Sequence, residues 1–298
     1  MRPTPAAIAQ PHLRADSGPM TLRIDSHQHF WNPSRGDYGW LTPELQTLYR
    51  PFGPDDLEFL IEETGVGGTV LVQAAPTVEE TEYMLGLADA TDWVLGVVGW
   101  VDFADPSSLA HVDRLARHKK LKGFRPMIQD IPDVDWMLKP ELDWAFRSLV
   151  AHDLAFDALV KPEHLPNLLA LLGRYPELRV VIDHGAKPRI RAGEFDEWAA
   201  GMQALARDTR ALCKLSGLVT EAGPDWSVDK LRPYVDWLLE CFGPGRLLWG
   251  SDWPVCTLAS GYRRWVDAAE ELTAACSAGE RLAIFGGNAT AFYRLGAI

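Results

Sequence analysis

The amino-acid sequence predicts an α/β protein, a single (β/α)8 barrel of the TIM type preceded by a flexible N-terminal extension. Three observations point to it. Eight short apolar, β-branched runs recur along the chain, each bounded by Gly, Pro or charged residues, as buried strands are. Stretches with a helical apolar period lie between them. The first and eighth runs begin at residues 22 and 246, 224 residues apart, so seven steps average 32 residues, the size of one strand-plus-helix unit. Such barrels run to roughly 250 residues as one domain, so a chain of 298 residues requires no second one. A doubly wound open sheet is the competing architecture. It would normally place a Gly-rich turn after the first strand to approach a phosphate, and none is present.

Taken in order, residues 1–20 contain four prolines and no sustained apolar stretch. They read as a flexible extension without the apolar segment of a signal peptide, with Met20 a second candidate start. The barrel is expected over residues 21–298. Its strand-like runs fall at 22–30, 68–74, 94–101, 121–127, 155–160, 179–184, 211–217 and 246–254. Between them, four stripes recur at helical spacing: Leu109, Val112, Leu115 and Ala116; Leu165, Leu168, Leu169 and Leu172; Phe195, Trp198, Met202 and Leu205; and Leu231, Val235, Leu238, Leu239 and Phe242. The first step is the longest. Its excess, 31–55, is rich in Trp, Pro, Gly and Tyr and reads as a long loop on the rim where such barrels keep their active sites.

Composition narrows the function. With 47% hydrophobic and 23% charged residues the chain has ample material for a core. Its net charge of −12 repels phosphate backbones and anionic lipid, which speaks against nucleic-acid and membrane-surface partners. No apolar run approaches the roughly 18 residues needed to span a bilayer; the longest, Trp93 to Val101, stops at Asp102. Cys213, Cys241, Cys256 and Cys276 are scattered, without CxxC spacing, and read as reduced thiols in a cytoplasm. A homo-oligomer is left open.

The candidate chemistry sits at strand ends. His27 and His29 end the first strand two residues apart, so both imidazoles can converge on one divalent metal or one substrate oxygen. His184 ends the sixth run. Asp252 follows the strongly apolar eighth, where a carboxylate must be partnered or functional. Any one of these has an ordinary structural explanation; together they fall on one rim. Arg125, near the end of the fourth strand, could grip a carbonyl or hydroxyls, or pair with a buried acid. Gln73 and Trp100 end the second and third strands. Trp31 and Trp40 lie in the long loop, where indole faces could stack on sugar C–H groups. Asp157 could bind a hydroxyl or pair with Lys161. Trp144, Trp198, Trp237 and Trp265 sit at helical spacing and read as packing residues. Asn288-Ala-Thr290 matches a glycosylation acceptor, which carries no weight without a secretion signal.

The runs IDSHQHFW, LKGFRP, VIDHGAKP, LLWGSDWPV and GGNATAFYRL together resemble the amidohydrolase superfamily, in its amidohydrolase-2 branch, over about residues 22 to 295. The likeness is greatest to sugar-lactone and pyrone-lactone hydrolases of that branch. The resemblance implies that His27, His29, His184 and Asp252 form the catalytic centre. Other branches carry a bridging carboxylated lysine that fixes two metals; Lys122 lies too near the start of its strand to match it. The resemblance thus implies at most one Zn2+ or other divalent ion, held by His27, His29, His184 and Asp252, and it includes members that work without metal.

The expected function is a lactonase for a sugar-acid lactone, a small-molecule partner. Asp252 would deprotonate the attacking water, His27, His29 and His184 would polarise the ring carbonyl directly or through the metal, and Trp31, Gln73, Trp100 and Arg125 would contact the sugar. A metal-dependent decarboxylase of an aromatic or unsaturated acid is the alternative enzyme, and a non-catalytic sugar-binding barrel the alternative without chemistry.

Overall fold

The computed structural model describes residues 22–296; the extension expected over 1–20 lies outside them. Eight parallel strands follow one another in strict chain order around the sheet: β1 (Ile24–Gln28), β2 (Gly68–Val72), β3 (Val94–Gly99), β4 (Leu121–Phe124), β5 (Ala155–Ala158), β6 (Val180–Ile182), β7 (Leu212–Leu215) and β8 (Leu247–Trp249). Each lies inside its expected run but is shorter, because the residues that bend away at the carboxyl ends build the site. Backbone bonds bring β8 round to β1: Asp252 N donates to His27 O and His29 N to Trp253 O, both at 2.7 Å. The ring is thus a (β/α)8 barrel.

Helices α1 (Pro54–Thr64), α2 (Val78–Ala90), α3 (Leu109–Leu115), α4 (Asp143–Ala151), α5 (Leu165–Arg174) and α6 (Asp196–Asp208) fill the first six returns. The short α7 (Leu218–Ala222) and long α8 (Val228–Phe242) follow β7, and α9 (Tyr262–Leu272), α10 (Ala278–Leu282) and α11 (Asn288–Tyr293) follow β8. The apolar stripes face the sheet with local corrections. In α3, Val112 and Leu115 are buried but Leu109 is exposed, and in α5 the buried set is Leu165, Leu168, Leu171 and Leu172, so Leu171 replaces Leu169. Trp198 and Trp265 are core residues. Asn288 donates to Pro244 O and Leu247 O, tying α11 to the foot of β8.

Inside the barrel, alternation along the strands sorts residues into layers. Ile24, Val70, Val72, Val98, Ala155, Val181 and Leu248 form an apolar floor, plugged from below by Ala289, Phe292, Tyr293 and Leu295. Two residues further along, the inward positions are Asp157 on β5, Asp183 just past the end of β6 and Lys214 on β7, all fully buried. The barrel is therefore apolar below and ionic above, and the ionic layer lies directly under the rim.

Candidate active site

Strict alternation from the inward Ile24 would turn His27 outward. The β1–β2 register instead shifts between Asp25 and Gln28. This bulge leaves Asp25 facing outward, where it accepts from Tyr262 Oη at 3.1 Å, and re-aims His27 inward. Asp25 Oδ1 also accepts Ser251 N at 2.8 Å and His27 N at 3.2 Å, clamping the two loops that carry the histidine pair and Asp252. Burial pushes the Asp25 carboxyl up to about 6 against those hydrogen bonds.

After β6 the chain enters a left-handed turn: His184, Gly185, Ala186 and Lys187 all have φ between 51° and 60°. Such geometry is costly for three side-chain-bearing residues and persists only where the surroundings enforce it. Here it swings His184 and Lys187 over the same mouth. Asp252, at φ 57°, is aimed in the same way. Gly217 is needed opposite, since a Cβ there would lie 2.7 Å from the His184 ring.

The four expected catalytic residues come together. Asp252 Oδ1 lies 3.2 Å from His29 Nε2, 3.8 Å from His27 Nε2 and 3.9 Å from His184 Nε2, and the His27 and His29 Nε2 atoms are 3.2 Å apart. Their outer nitrogens are held by Val72 O (2.7 Å from His29 Nδ1) and Ser216 Oγ (2.8 Å from His184 Nδ1). Burial lowers His184 to about 4 and carries His27 well below its ordinary range, so both rings are neutral near pH 7. Burial alone would raise Asp252, but His184, His29 and His27 outweigh it and hold the carboxyl below the usual carboxylate range.

His29 Nδ1–H is given to Val72 O, and Nε2 faces Asp252 Oδ1 at 3.2 Å. A hydrogen on Nε2 or a metal ion between the two atoms satisfies both. Donors around a tetrahedral zinc lie roughly 3.3 Å apart, given bonds of about 2.0–2.1 Å. The spacing here, with His27, His29 and Asp252 as one compact group and His184 completing it, fits one divalent ion.

Arg125 answers both of its expected roles. Its guanidinium lines the mouth and also faces Asp183, with Nη1 3.5 Å from Oδ2 and 3.3 Å from His27 Nε2. Gln73 is fully buried behind it, accepting from Nη2 at 2.9 Å on Oε1 and again on its backbone oxygen. Gln73 thus orients Arg125 and does not line the pocket. Arg125 Nε has no hydrogen-bond partner among the described residues. The pocket has a volume of about 180 Å³ and is walled by Trp31, Trp40, Ala74, Met127, Leu159 and Val255, with Gln129 and Lys187 as further polar groups. Trp31 donates to Leu48 O and Arg50 O, and Trp40 to Ala74 O at 2.7 Å, which pins the long loop over the mouth. Trp100 lines a neighbouring cleft with Trp40, Met127 and Trp136, not the pocket itself.

One pairing is corrected. Asp157 does not pair with Lys161, whose ammonium reaches Gln129 O at 2.7 Å; it accepts from Lys214 Nζ and Tyr293 Oη, both at 2.6 Å. The side chain is fully buried under the site, so burial had to supply a cation from inside the barrel. Lys214 was itself legible as a lysine at an inward-parity position, between Leu212 and Ser216 of an apolar run. Gln129 and Lys187 lie in irregular loops and carry no comparable signal.

A closed parallel barrel with a histidine pair at the end of β1, a histidine after β6 and an aspartate after β8 is the arrangement of the amidohydrolase family. Its sequence pattern matches residues 24–295. The chain belongs to that family and is an enzyme of the amidohydrolase superfamily. It is 48% identical over 280 residues to an L-fucono-1,5-lactonase of Burkholderia ambifaria, covering 93% of this chain and 97% of the relative. It is 37% identical over 295 residues to an L-fucono-1,5-lactonase of Burkholderia multivorans, covering 92% and 96%. A crystal structure of a Burkholderia multivorans amidohydrolase with bound zinc superposes with a TM-score of 0.86 at 37% identity, over 92% of this chain and all of that one.

Proposed function

We propose that the protein is a lactonase, a carboxylic ester hydrolase that opens a sugar-acid 1,5-lactone by attack of water on the ring carbonyl. What carries this reading is the buried, ionised Asp252 carboxylate ringed by three imidazoles, on the floor of a pocket with indole walls. The relatives' activity supports it.

Asp252 holds the attacking water and takes its proton as the C–O bond forms. Negative charge then grows on the carbonyl oxygen, where Arg125, with its unused Nε–H, and His27 and His184 offer donors in a site shielded from water. The ring oxygen leaves as a tethered alkoxide and recovers the proton from Asp252. His27, His29, His184 and Asp252 would hold one divalent ion, Zn2+ by donor type, which when bound supplies Lewis-acid polarisation of the carbonyl. Trp31 and Trp40 offer flat apolar faces to sugar C–H groups, and Gln129 and Lys187 reach hydroxyls.

A panel of 1,4- and 1,5-aldonolactones read by a pH indicator tests the proposal. Proton release above background, strongest for a 1,5-lactone, is expected. No release from any lactone, together with CO2 loss from an aromatic acid, would replace the lactonase with the decarboxylase.

A further inference from the structure

We propose that Glu221 is a specificity-determining residue. Paired with Lys187, it withholds from the pocket a cation that could receive a carboxylate substituent, and so discriminates against lactones that carry one. The inference rests on the lactonase reading of the same site and adds to it the charge class of the substrate.

The pocket lining holds two cations, Arg125 and Lys187, and each meets a carboxylate from outside the lining. Arg125 Nη1 lies 3.5 Å from Asp183 Oδ2, and Lys187 Nζ lies 3.3 Å from Glu221 Oε1 on α7. The lining's own carboxylates are Asp252 and Asp130, and it contains no third lysine or arginine to balance them. A carboxylate substituent entering this pocket therefore meets cations that are already compensated, beside further negative charge.

Lys187 is nevertheless equipped to bind a hydroxyl. Of its three N–H bonds one goes to Gln129 Oε1 at 3.0 Å, the ammonium's only hydrogen bond among the described residues. Gln129 is itself fixed, its backbone oxygen accepting from Lys161 Nζ at 2.7 Å and its N–H donating to Leu159 O at 3.0 Å. The left-handed backbone at φ 51° sets the direction of the lysine. Its ammonium is thus placed without Glu221, with N–H bonds to spare. A hydroxyl needs one such N–H and no net charge, whereas a carboxylate must also be repaid for its lost hydration by an uncommitted cation.

Glu221 has no competing task. The half-buried carboxylate makes no side-chain hydrogen bond among the described residues, and Lys187 is its one ion-pair partner there. What it contributes is compensation of charge. Removing that charge while keeping the shape should leave the same pocket with an unpaired cation at Lys187.

Galactonate and galactarate isolate the effect, since they differ by one carboxylate in place of a terminal hydroxymethyl group. Whatever the first carboxylate finds near Asp252 is common to both. Calorimetric titration of the enzyme as isolated should show wild type binding galactarate more weakly than galactonate. Glu221→Gln should shift that selectivity towards galactarate by at least about fivefold, the scale of one half-exposed ion pair. Glu221→Gln/Lys187→Met should lose the gain, because the freed cation is then absent. A wild type that prefers galactarate, a selectivity unchanged in Glu221→Gln, or a gain that survives the loss of Lys187 would each overturn the proposal, as would a Glu221→Gln protein that binds no galactarate. The titrations need no turnover, so a silent lactone panel would count against the lactonase reading and an unchanged selectivity against Glu221.

Discussion

Asp252, the proposed general base, illustrates how little of a residue's behaviour belongs to its own side chain. Its strained φ of 57°, its neighbours' imidazoles and the Asp25 clamp on Ser251 together set where the carboxylate points and whether it is ionised. Asn keeps the shape and one acceptor oxygen but takes no proton from water. Asp252→Asn should therefore lower kcat by at least about 10²-fold with KM within a few-fold, measured on one lactone beside His184→Asn. A nearly unimpaired Asp252→Asn beside an inactive His184→Asn would make the histidine the base. The same environment fixes the pH profile. Asp252 is held below the usual carboxylate range and His184 stays neutral down to about 4, so falling pH reaches neither group until well below its ordinary value. The metal-free kcat/KM should stay level from pH 8 to about 5 and fall only near or below about 4; an acidic limb near the ordinary histidine value of 6.5 would contradict it.

Two connecting elements shape the pocket from the outside. The β1–α1 loop is anchored by its indoles, Trp31 against Trp40 at 5.2 Å edge to face and Trp40 bonded to Ala74 O. Because Trp40 touches the pocket but not the reacting groups, Trp40→Ala should raise KM roughly three- to tenfold, the worth of one aromatic contact, while kcat changes by less than about threefold. Steady-state kinetics on a single lactone separate the two. The β2–α2 turn hangs on Glu80, whose buried carboxyl group accepts Ala74 N at 3.0 Å and Ala75 N at 2.6 Å. Burial outweighs those bonds and pushes Glu80 from 4.5 up to about 8. The folded state thus binds a proton that the unfolded state has released between those values, and stability is lost as pH rises through that window. Melting curves from pH 5 to 9 should show wild type losing stability towards the alkaline end and Glu80→Gln losing less; parallel curves would exclude Glu80 as the source.

At the scale of the whole molecule the barrel is closed at both ends by different means. Above, β8 reaches β1 through His27 O and Trp253 O, so closing the ring and assembling the site are one event. Below, α11 plugs the floor and the preceding turn presses Gly286 against the backbone just before β1, where a Cβ would lie 2.0 Å from Leu22 O. Backbone cannot yield there as a flexible side chain would. Gly286→Ala should cost roughly 1–3 kcal/mol, the usual price of overpacking, with kcat of the folded enzyme unchanged because the clash lies at the opposite end from the site. A melting temperature equal to wild type would show that the turn can shift freely.

The sequence by itself determined the architecture and the four residues at its mouth. Eight apolar runs at a regular step leave one economical way to bury them, and HxH, His184 and Asp252 stand at run ends, which in a parallel barrel means one rim. It also marked Arg125, Trp31 and Trp40 as neighbours of that rim. Only the tertiary structure decided the facing of those groups. Alternation counted from Ile24 gives the wrong side for His27, and the bulge that corrects it depends on β1 pairing with β2 at one register. The left-handed turn at His184–Lys187 is a compromise among packed elements rather than a local preference. Most of all, Asp157, Asp183 and Lys214 lie on or at the end of three different strands, between 26 and 57 residues apart in sequence. A buried charge shows in a sequence as an anomaly, but its partner is chosen by closure of the barrel, which is why Lys161, near in sequence, was the wrong cation and Lys214, near in space, the right one.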